Sequence, residues 1–488
     1  MILNLFISLL LLACSQDSQP PAYDYGRFYE AHEVFRESSI TDRRFKQQEI
    51  VPLIEELEAP FRVRVAGQSI EGRDIYHVRL GEGATSVLLW SQMHGDEPTA
   101  TMALMDIFNF FQASGDGFDD YRRDILSKLT LHFLPMLNPD GAELFQRRNA
   151  IDIDLNRDAL RLTSPEAQLL KQIRDETEAD WGFNLHDQSF YYAVGNNPKQ
   201  ASISFLAPAY NYAKQVNAVR GNAMKLIAGL NEVVQKYLPG QVGKYSDGFE
   251  PRAFGDNIQK WGTSTILIET GGLYGDPEKQ ELRRINFTVL LSAFEQIANR
   301  RYAGVSTTGY NKIPFNNYGA FQDLILRGVE VPYGDNWYTV DLAFQHREVE
   351  YDEHSTYYNR SRITDVGHLS NFFAFRDLPA QEYRAVPAKT HPQRLPDVAA
   401  LGKLDLLSLI REGVLNFEVE EWPRDNRFHT LPIRLLPKGR TDTGAMKIGD
   451  NPTLLLQNDG QTHYAVVNGF LYDLREQGQL QQLLSVLR

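Results

Sequence analysis

Ser86-Val87-Leu88-Leu89-Trp90-Ser91-Gln92-Met93-His94-Gly95-Asp96-Glu97-Pro98 is the stretch on which the reading of this chain turns. Val87 to Trp90 form an uninterrupted apolar run, the pattern of a strand buried on both faces of a sheet. Pro98 stands where a helix accepts proline, in its first turn. The residues after it place Met102, Met105, Phe108 and Phe111 on one face of a helix over Thr99 to Phe111. A buried strand passing into a helix is half of a βαβ unit, and its connecting loop holds an imidazole and a carboxylate.

The same alternation extends on both sides. Upstream, Phe61 to Val65 and Ile75 to Leu80 read as strands around the turn Gly67 to Gly72. Thr41 to Leu57 reads as a helix divided or kinked at Pro52. Downstream, Leu131 to Leu137, Trp181 to Leu185 and Thr265 to Ile268 are buried-strand candidates. The helical stretches among and after them are Pro165 to Glu178, Ala213 to Tyr237 and Pro277 to Ala298. Strands alternating with helices predict an α/β fold, a mixed sheet covered by helices on both faces. After residue 300 strands dominate: Trp337 to Phe344, Phe372 to Phe375, Val414 to Val419, Leu431 to Leu436, Thr453 to Leu456 and Tyr464 to Leu471. The expected organisation is an α/β domain over 41–300 followed by two mainly β accessory regions, 301–390 and 391–488.

The chain has 488 residues, 50 Lys+Arg against 63 Asp+Glu, and a formal charge of −13. This length suggests about three domains at roughly 150 residues each. The acidic balance, with no Lys/Arg-rich block, argues against a nucleic-acid partner. Ordinary apolar and charged fractions exclude a fibrous or wholly disordered chain.

Cys14 is the single cysteine, so there is no disulfide framework and no thiolate metal cluster. Residues 2–12 (ILNLFISLLLL) are almost wholly apolar, too short to cross about 30 Å of hydrocarbon and suited to a secretory h-region. Leu11-Leu12-Ala13-Cys14 resembles a bacterial lipobox, although no Lys or Arg follows Met1. The expectation is a signal over 1–14, lipid on Cys14, a polar tether over 15–40, and a place in the bacterial cell envelope (periplasm or outer membrane). A lipidated Cys14 leaves no free thiol, which suits an oxidising exterior.

His94 and Glu97, three residues apart at the end of a buried strand, can turn both side chains to the carboxyl edge of the sheet, where ligands bind in open α/β folds. Imidazole and carboxylate suit Zn²⁺, which needs a third protein ligand at a catalytic site. His186, directly after the strand Trp181 to Leu185, is the candidate; the competing reading is a structural histidine bonded to a backbone carbonyl. Glu269 ends the apolar strand Ile266 to Ile268. A carboxylate there is desolvated on one side, which raises its pKa and suits proton transfer. Its alternative is a helix-capping or salt-bridged Glu. The glycines Gly271 and Gly272 after it permit close approach of substrate backbone. Asn138-Pro139-Asp140-Gly141 is a turn by composition. The run Arg147 to Arg157 (RRNAIDIDLNR) offers guanidinium groups that bind carboxylates in bidentate fashion or polarise a carbonyl, or else is a solvated charged loop.

The combination His94-x-x-Glu97, Asn138 to Gly141, Arg147-x-Asn149, Asp154-Leu155-Asn156-Arg157, His186 and Glu269 resembles the M14-type zinc metallocarboxypeptidases over about residues 45 to 300. Gly67 to Arg73 is also similar to that family's entry segment. The resemblance implies a zinc-carboxypeptidase-like fold with one Zn²⁺ per chain, bound by His94, Glu97 and His186. It implies Glu269 as the general base acting on the zinc-bound water, and Arg147 as the group that polarises the scissile carbonyl and stabilises the oxyanion. Asn156 and Arg157 would hold the substrate's terminal carboxylate. The family's mobile tyrosine falls near Tyr245, in an unusual context, and the specificity residue falls within Arg252 to Asp256 with its register open.

The function this predicts is a secreted, lipid-anchored zinc carboxypeptidase acting on the C-terminal peptide bond. Its partners would be a peptide or small amide with a free carboxylate and, through Cys14, a membrane. A related zinc amidohydrolase that deacylates N-acyl amino acids or small conjugates is the alternative, and an inactive peptidase-fold binding protein is the third reading.

Overall fold

The computed structural model describes residues 23–487. The expected signal over 1–14, the lipidation site Cys14 and the first part of the tether lie outside the described residues. Eight strands form the first sheet: β1 (Arg62–Gln68), β2 (Asp74–Leu80), β3 (Thr85–Ser91), β4 (Leu129–Leu134), β5 (Trp181–Asp187), β7 (Ile203–Leu206), β8 (Val242–Lys244) and β9 (Ser264–Thr270). The two-residue β6 (Ala193–Val194) pairs separately with Asn316–Asn317. The order in the sheet is β1-β2-β4-β3-β5-β9-β7-β8. The four central strands β4, β3, β5 and β9 are mutually parallel, and antiparallel strands flank them. β4 and β9 are buried along their whole length, which accounts for their largely apolar sequences.

Helices cover both faces, so the expected mixed α/β sheet is what the chain builds. On one face α1 (Gly26–Phe35), α2 (Gln47–Glu55), α3 (Thr99–Gln112), α4 (Asp119–Lys128), α7 (Ala218–Val234) and α9 (Gln280–Ala298) share one apolar core. On the other, α6 (Pro165–Thr177) and α8 (Phe254–Lys260) pack around Leu88, Trp90, Leu155 and Ile173. The short α5 (Pro139–Glu143) follows β4. In α9 even Arg283 is fully buried. Its guanidinium donates to both oxygens of Asp106, which His32 Nε2 also meets at 2.8 Å.

Several boundaries differ from expectation. The tether expected over 15–40 is not maintained from residue 26. Gly26–Phe35 is α1, and its Phe28 and Phe35 pack, mostly edge to face, on Phe110 and Phe118, which gives the segment enough apolar contact to fold. The helix expected over 41–57 begins only at Gln47, where Glu49 caps the Lys46 N–H at 2.6 Å; it runs through Pro52 without breaking. β7, β8 and the long strands Phe321–Tyr333 and Thr356–Gly367 carry no clean apolar alternation and were not expected.

After residue 300 the chain is mainly β, as expected. Phe321–Tyr333, Asn336–Tyr351 and Thr356–Gly367 form an antiparallel meander, and the same sheet continues through Arg384–Pro387, Leu454–Asn458, Gln461–Val467 and Phe470–Asp473. The boundary drawn at residue 390 therefore cuts across one sheet. A small parallel sheet of Lys389–Thr390, Val414–Val419 and Arg434–Pro437 lies beside it. The single strand expected over Tyr464 to Leu471 is a hairpin. Asn468 and Gly469 both have positive φ (48° and 75°), the Asn-Gly geometry that matches strand twist in a two-residue turn. Among the described residues no helix is long and apolar enough to cross a membrane.

Candidate metal centre and active site

The parallel strands β3, β5 and β9 release their chains at the same edge of the sheet. Ser91 pairs with Leu185, and His186 pairs with Glu269 in the next register. This arrangement brings His94, Glu97, His186 and Glu269 together from positions as far as 175 residues apart in sequence. The loop that carries His94 is fixed from below. A Cβ at Gly95 would lie 1.9 Å from the carbonyl carbon of Gly141, so only glycine allows the two backbones to touch. Asn138 secures the same contact, donating from Nδ2 to Met93 O (3.2 Å) while its Oδ1 caps the Gly141 N–H (2.9 Å). Asp140 accepts from Ser69, the Glu71 N–H and Arg73, tying the Gly67 to Arg73 turn to this base. Asn138 to Gly141 and Asn149, whose Oδ1 accepts from the Ile153 N–H at 2.9 Å, therefore shape the loops.

His94 Nδ1 lies 2.8 Å from Glu97 Oε1, and His186 Nδ1 lies 2.6 Å from Glu97 Oε2. One ligand atom from each of the three falls within 4.8 Å of the others. His94 Nε2 lies 3.1 Å from Asp154 Oδ1, a placement that lets Nε2–H donate to Asp154 and leaves Nδ1 to serve as the metal ligand. A lone pair facing a buried carboxylate oxygen at 2.8 Å is repulsive unless a proton or cation lies between them. Two imidazoles and a carboxylate are also the N and O donors that Zn²⁺ takes, and Asp154 is the outer partner a ligating His normally has. The residues present fit the ion.

The charges around this centre are strongly displaced. Burial works against ionisation of Glu97, yet the two imidazoles outweigh it and hold its carboxyl well below the usual range. Burial, with the charges of Glu97 and Asp187, pushes Glu269 well above its range. Burial and Glu97 also raise Asp96, to about 6. The Asp187 backbone N–H donates to Glu97 Oε2 (3.1 Å), while its carboxylate accepts from Thr99 (2.6 Å) and Lys279 (3.0 Å). That chain of contacts fixes the second face of Glu97.

Arg147, Asn156 and Arg157 line the same cleft, which has a volume of about 1040 Å³. Arg147 donates to Asp154 Oδ2 (3.1 Å) and Glu97 Oε1 (3.3 Å). Asn156 Oδ1 accepts from the Phe254 N–H (2.9 Å), and Arg157 donates to Asn156 O (2.7 Å) with its Nε 3.7 Å from Glu250. Tyr245 lines the cleft, its hydroxyl 3.5 Å from that of Tyr192. Within the open register Arg252 to Asp256, Arg252 is exposed and paired with Glu250 (2.9 Å), whereas Asp256 faces the cleft, its carboxyl raised by burial to about 7.

Sequence reasoning gave no role to Asp154, although a carboxylate two residues before Asn156 was a usable signal for a partner of a metal-ligating His. The Asp187–Lys279 pair and the residues that the β-rich unit places in the cleft had no local signal, since only tertiary packing brings them there.

Residues 52–204 match the zinc carboxypeptidase family (Peptidase_M14). The chain is 26% identical over 186 residues to carboxypeptidase SOL1 of Arabidopsis thaliana, covering 31% of this chain and 36% of that protein. It is 25% identical over 187 residues to carboxypeptidase 2 of Trichophyton rubrum, covering 36% of this chain and 32% of the relative. The chain thus spans about a third of the length of these curated relatives. Among solved structures, the metallo-carboxypeptidase from Burkholderia cenocepacia aligns at 16% identity with a TM-score of 0.43, over 53% of this chain and 70% of that one. The likeness to the M14 zinc carboxypeptidase family is thus carried by residues 52–204, about a third of the chain.

Proposed function

We propose that the protein is a zinc carboxypeptidase that hydrolyses the C-terminal bond of peptides. The observation that carries this reading is the meeting of His94, Glu97 and His186 around one point, with Glu269 on the adjoining strand and Arg147, Asn156 and Arg157 in the same cleft. His94, Glu97 and His186 would hold the Zn²⁺, which when bound supplies a Lewis acid for the scissile carbonyl and for water.

The remaining work belongs to the chain's own residues. Glu269, desolvated beside this centre, takes a proton from the attacking water and passes it to the leaving amine. Arg147, aimed across Glu97 and Asp154, stabilises negative charge developing on the carbonyl oxygen. Arg157 and Asn156 hold the terminal carboxylate, and this anchor makes the reaction terminal. Asp256, buried near Arg157, meets the side chain of the departing residue.

The anchor at Cys14 and a place in the cell envelope complete the proposal, supported by the apolar run 2–12 and the lipobox-like Leu11 to Cys14. Mass measurement of the mature protein tests this part, with a diacylglyceryl-sized addition lost in Cys14→Ser as the expected result. The reaction is tested by parallel assays with Zn²⁺ on peptides with free and amidated C-termini and on N-acyl amino acids. Release of the last residue from free peptides alone supports the carboxypeptidase. Turnover of N-acyl amino acids alone favours the amidohydrolase, and no turnover of any substrate favours a binding protein.

A further inference from the structure

The cleft has a second wall that the family match, ending at residue 204, does not include. Asp323, His346, Tyr357, Asn359 and Phe470 from the β-rich unit line it together with Tyr191. This wall is firmly attached. Tyr191 Oη donates to Asp323 Oδ2 (2.7 Å) and His346 O (2.8 Å), and Tyr357 donates to Glu278 (2.8 Å). Phe375 stacks on Tyr274 at 5.2 Å, and Arg44 lies between the rings of Phe145 and Tyr357.

The wall and the carboxylate anchor stand on opposite sides of the metal centre. Asn156 and Arg157 follow Leu155, which packs with Phe254 in the core on the α6–α8 face. The β-rich unit meets Glu278 through Tyr357, at the entry to α9 on the other face, where Arg43 of the N-terminal segment also binds Pro277 O and Glu278. A substrate whose carboxylate sits at Arg157 and whose scissile bond lies at the metal centre therefore runs toward this wall with its upstream residues.

The wall's charges are nearly all engaged. Glu348 is bound by Arg43 and Arg44, and Arg44 also meets Glu350 at 3.2 Å. Asp323 is engaged through one oxygen only. Its Oδ2 is occupied by Tyr191 and by the His346 N–H (2.6 Å), with His346 Nδ1 at 3.1 Å, but among the described residues its Oδ1 accepts no hydrogen bond. His346 is itself held by Asn468 O at 2.8 Å.

We propose that Asp323 receives the free α-ammonium group of the substrate, so that the cleft holds a short peptide by both ends and measures its length. This inference rests on the carboxypeptidase reading. A cleft of about 1040 Å³ has room for several residues of a peptide. A charge-assisted N–H···O bond to a partly buried carboxylate supplies the preference.

The test uses the zinc-loaded full chain and peptides of three to ten residues sharing one C-terminal sequence, each with a free or acetylated amino terminus. The expected result is an optimum among the shortest peptides, with kcat/KM about tenfold lower on acetylation of the best one. In Asp323→Asn that ratio falls to near one. A flat length profile with no effect of acetylation overturns the proposal and leaves the carboxypeptidase reading intact. A length limit that neither acetylation nor Asp323→Asn alters overturns the role of Asp323, and no cleavage of any peptide overturns both readings. The acetylation comparison in the unmodified protein stands even where Asp323→Asn folds poorly.

Discussion

His186 and Glu269 are direct register partners on the adjacent parallel strands β5 and β9. Partners in a sheet send their side chains to the same face, so the last imidazole of the metal set and the candidate base are placed by strand pairing and not by a flexible loop. Burial keeps Glu269 basic, whereas it makes no hydrogen bond to the metal set that would disturb the ligands on its loss. Glu269→Gln is therefore expected to bind zinc with unchanged stoichiometry while kcat falls by about 10² to 10⁴. Metal analysis beside steady-state kinetics checks this; turnover at the parental rate removes the base role.

Asp154 orients His94 through the 3.1 Å contact to Nε2 and also receives Arg147. Asp154→Ala frees the ring to rotate and change tautomer, and about a 10- to 100-fold weaker zinc affinity is expected in competition with a chelating dye. Unaltered affinity would mean that the ring is held by its packing alone.

In the proposed reaction Arg157 contributes binding to the substrate end and none to the metal centre. For Arg157→Ala, KM for a peptide with a free carboxylate is expected to rise by about tenfold or more, while the amidated peptide is affected little. Comparable losses on both substrates would argue against recognition of the chain end.

His77 and His132 form a buried neutral pair across β2 and β4, with His77 Nε2 3.0 Å from His132 Nδ1 and Arg64 donating to His77 Nδ1. Burial lowers the two pKa values to about 4 and about 3, and neighbouring positive charge reinforces the shift. Since the unfolded rings titrate near 6.5, the unfolded chain binds more protons below that pH. The pair's contribution is fully present above about 6.5 and is lost as pH falls toward the folded values, at about 1.4 kcal/mol per pH unit for each ring. Thermal unfolding midpoints from pH 7.5 to 4.5 should fall more steeply for the parent than for His77→Gln; parallel curves would exclude the pair as a source.

The α/β unit was legible in sequence because its central strands are buried on both faces and its helices are amphipathic: β3, β5 and β9 carry the largely apolar stretches Val87 to Trp90, Trp181 to Leu185 and Ile266 to Ile268, and His94, His186 and Glu269 stand at or just beyond their ends. Residues that act through other residues were less visible. Asp154 is one acidic residue among many until His94 is seen beside it, and Asp256 could be chosen over Arg252 only once the cleft was formed. The Asn468–Gly469 turn was written plainly but was masked by the apolar residues on both sides. The β-rich wall left no local trace, because Asp323 and His346 meet Tyr191, and Phe470 packs on His346, through a sheet that joins segments more than a hundred residues apart in sequence.

Digestion of a mixed peptide library by the zinc-loaded protein, followed by mass spectrometry, tests the central claim most directly. The account predicts loss of single residues from free C-termini only, stopped by a chelator and restored by added Zn²⁺. Cleavage at internal bonds, or a library left intact in the presence of Zn²⁺, would contradict it.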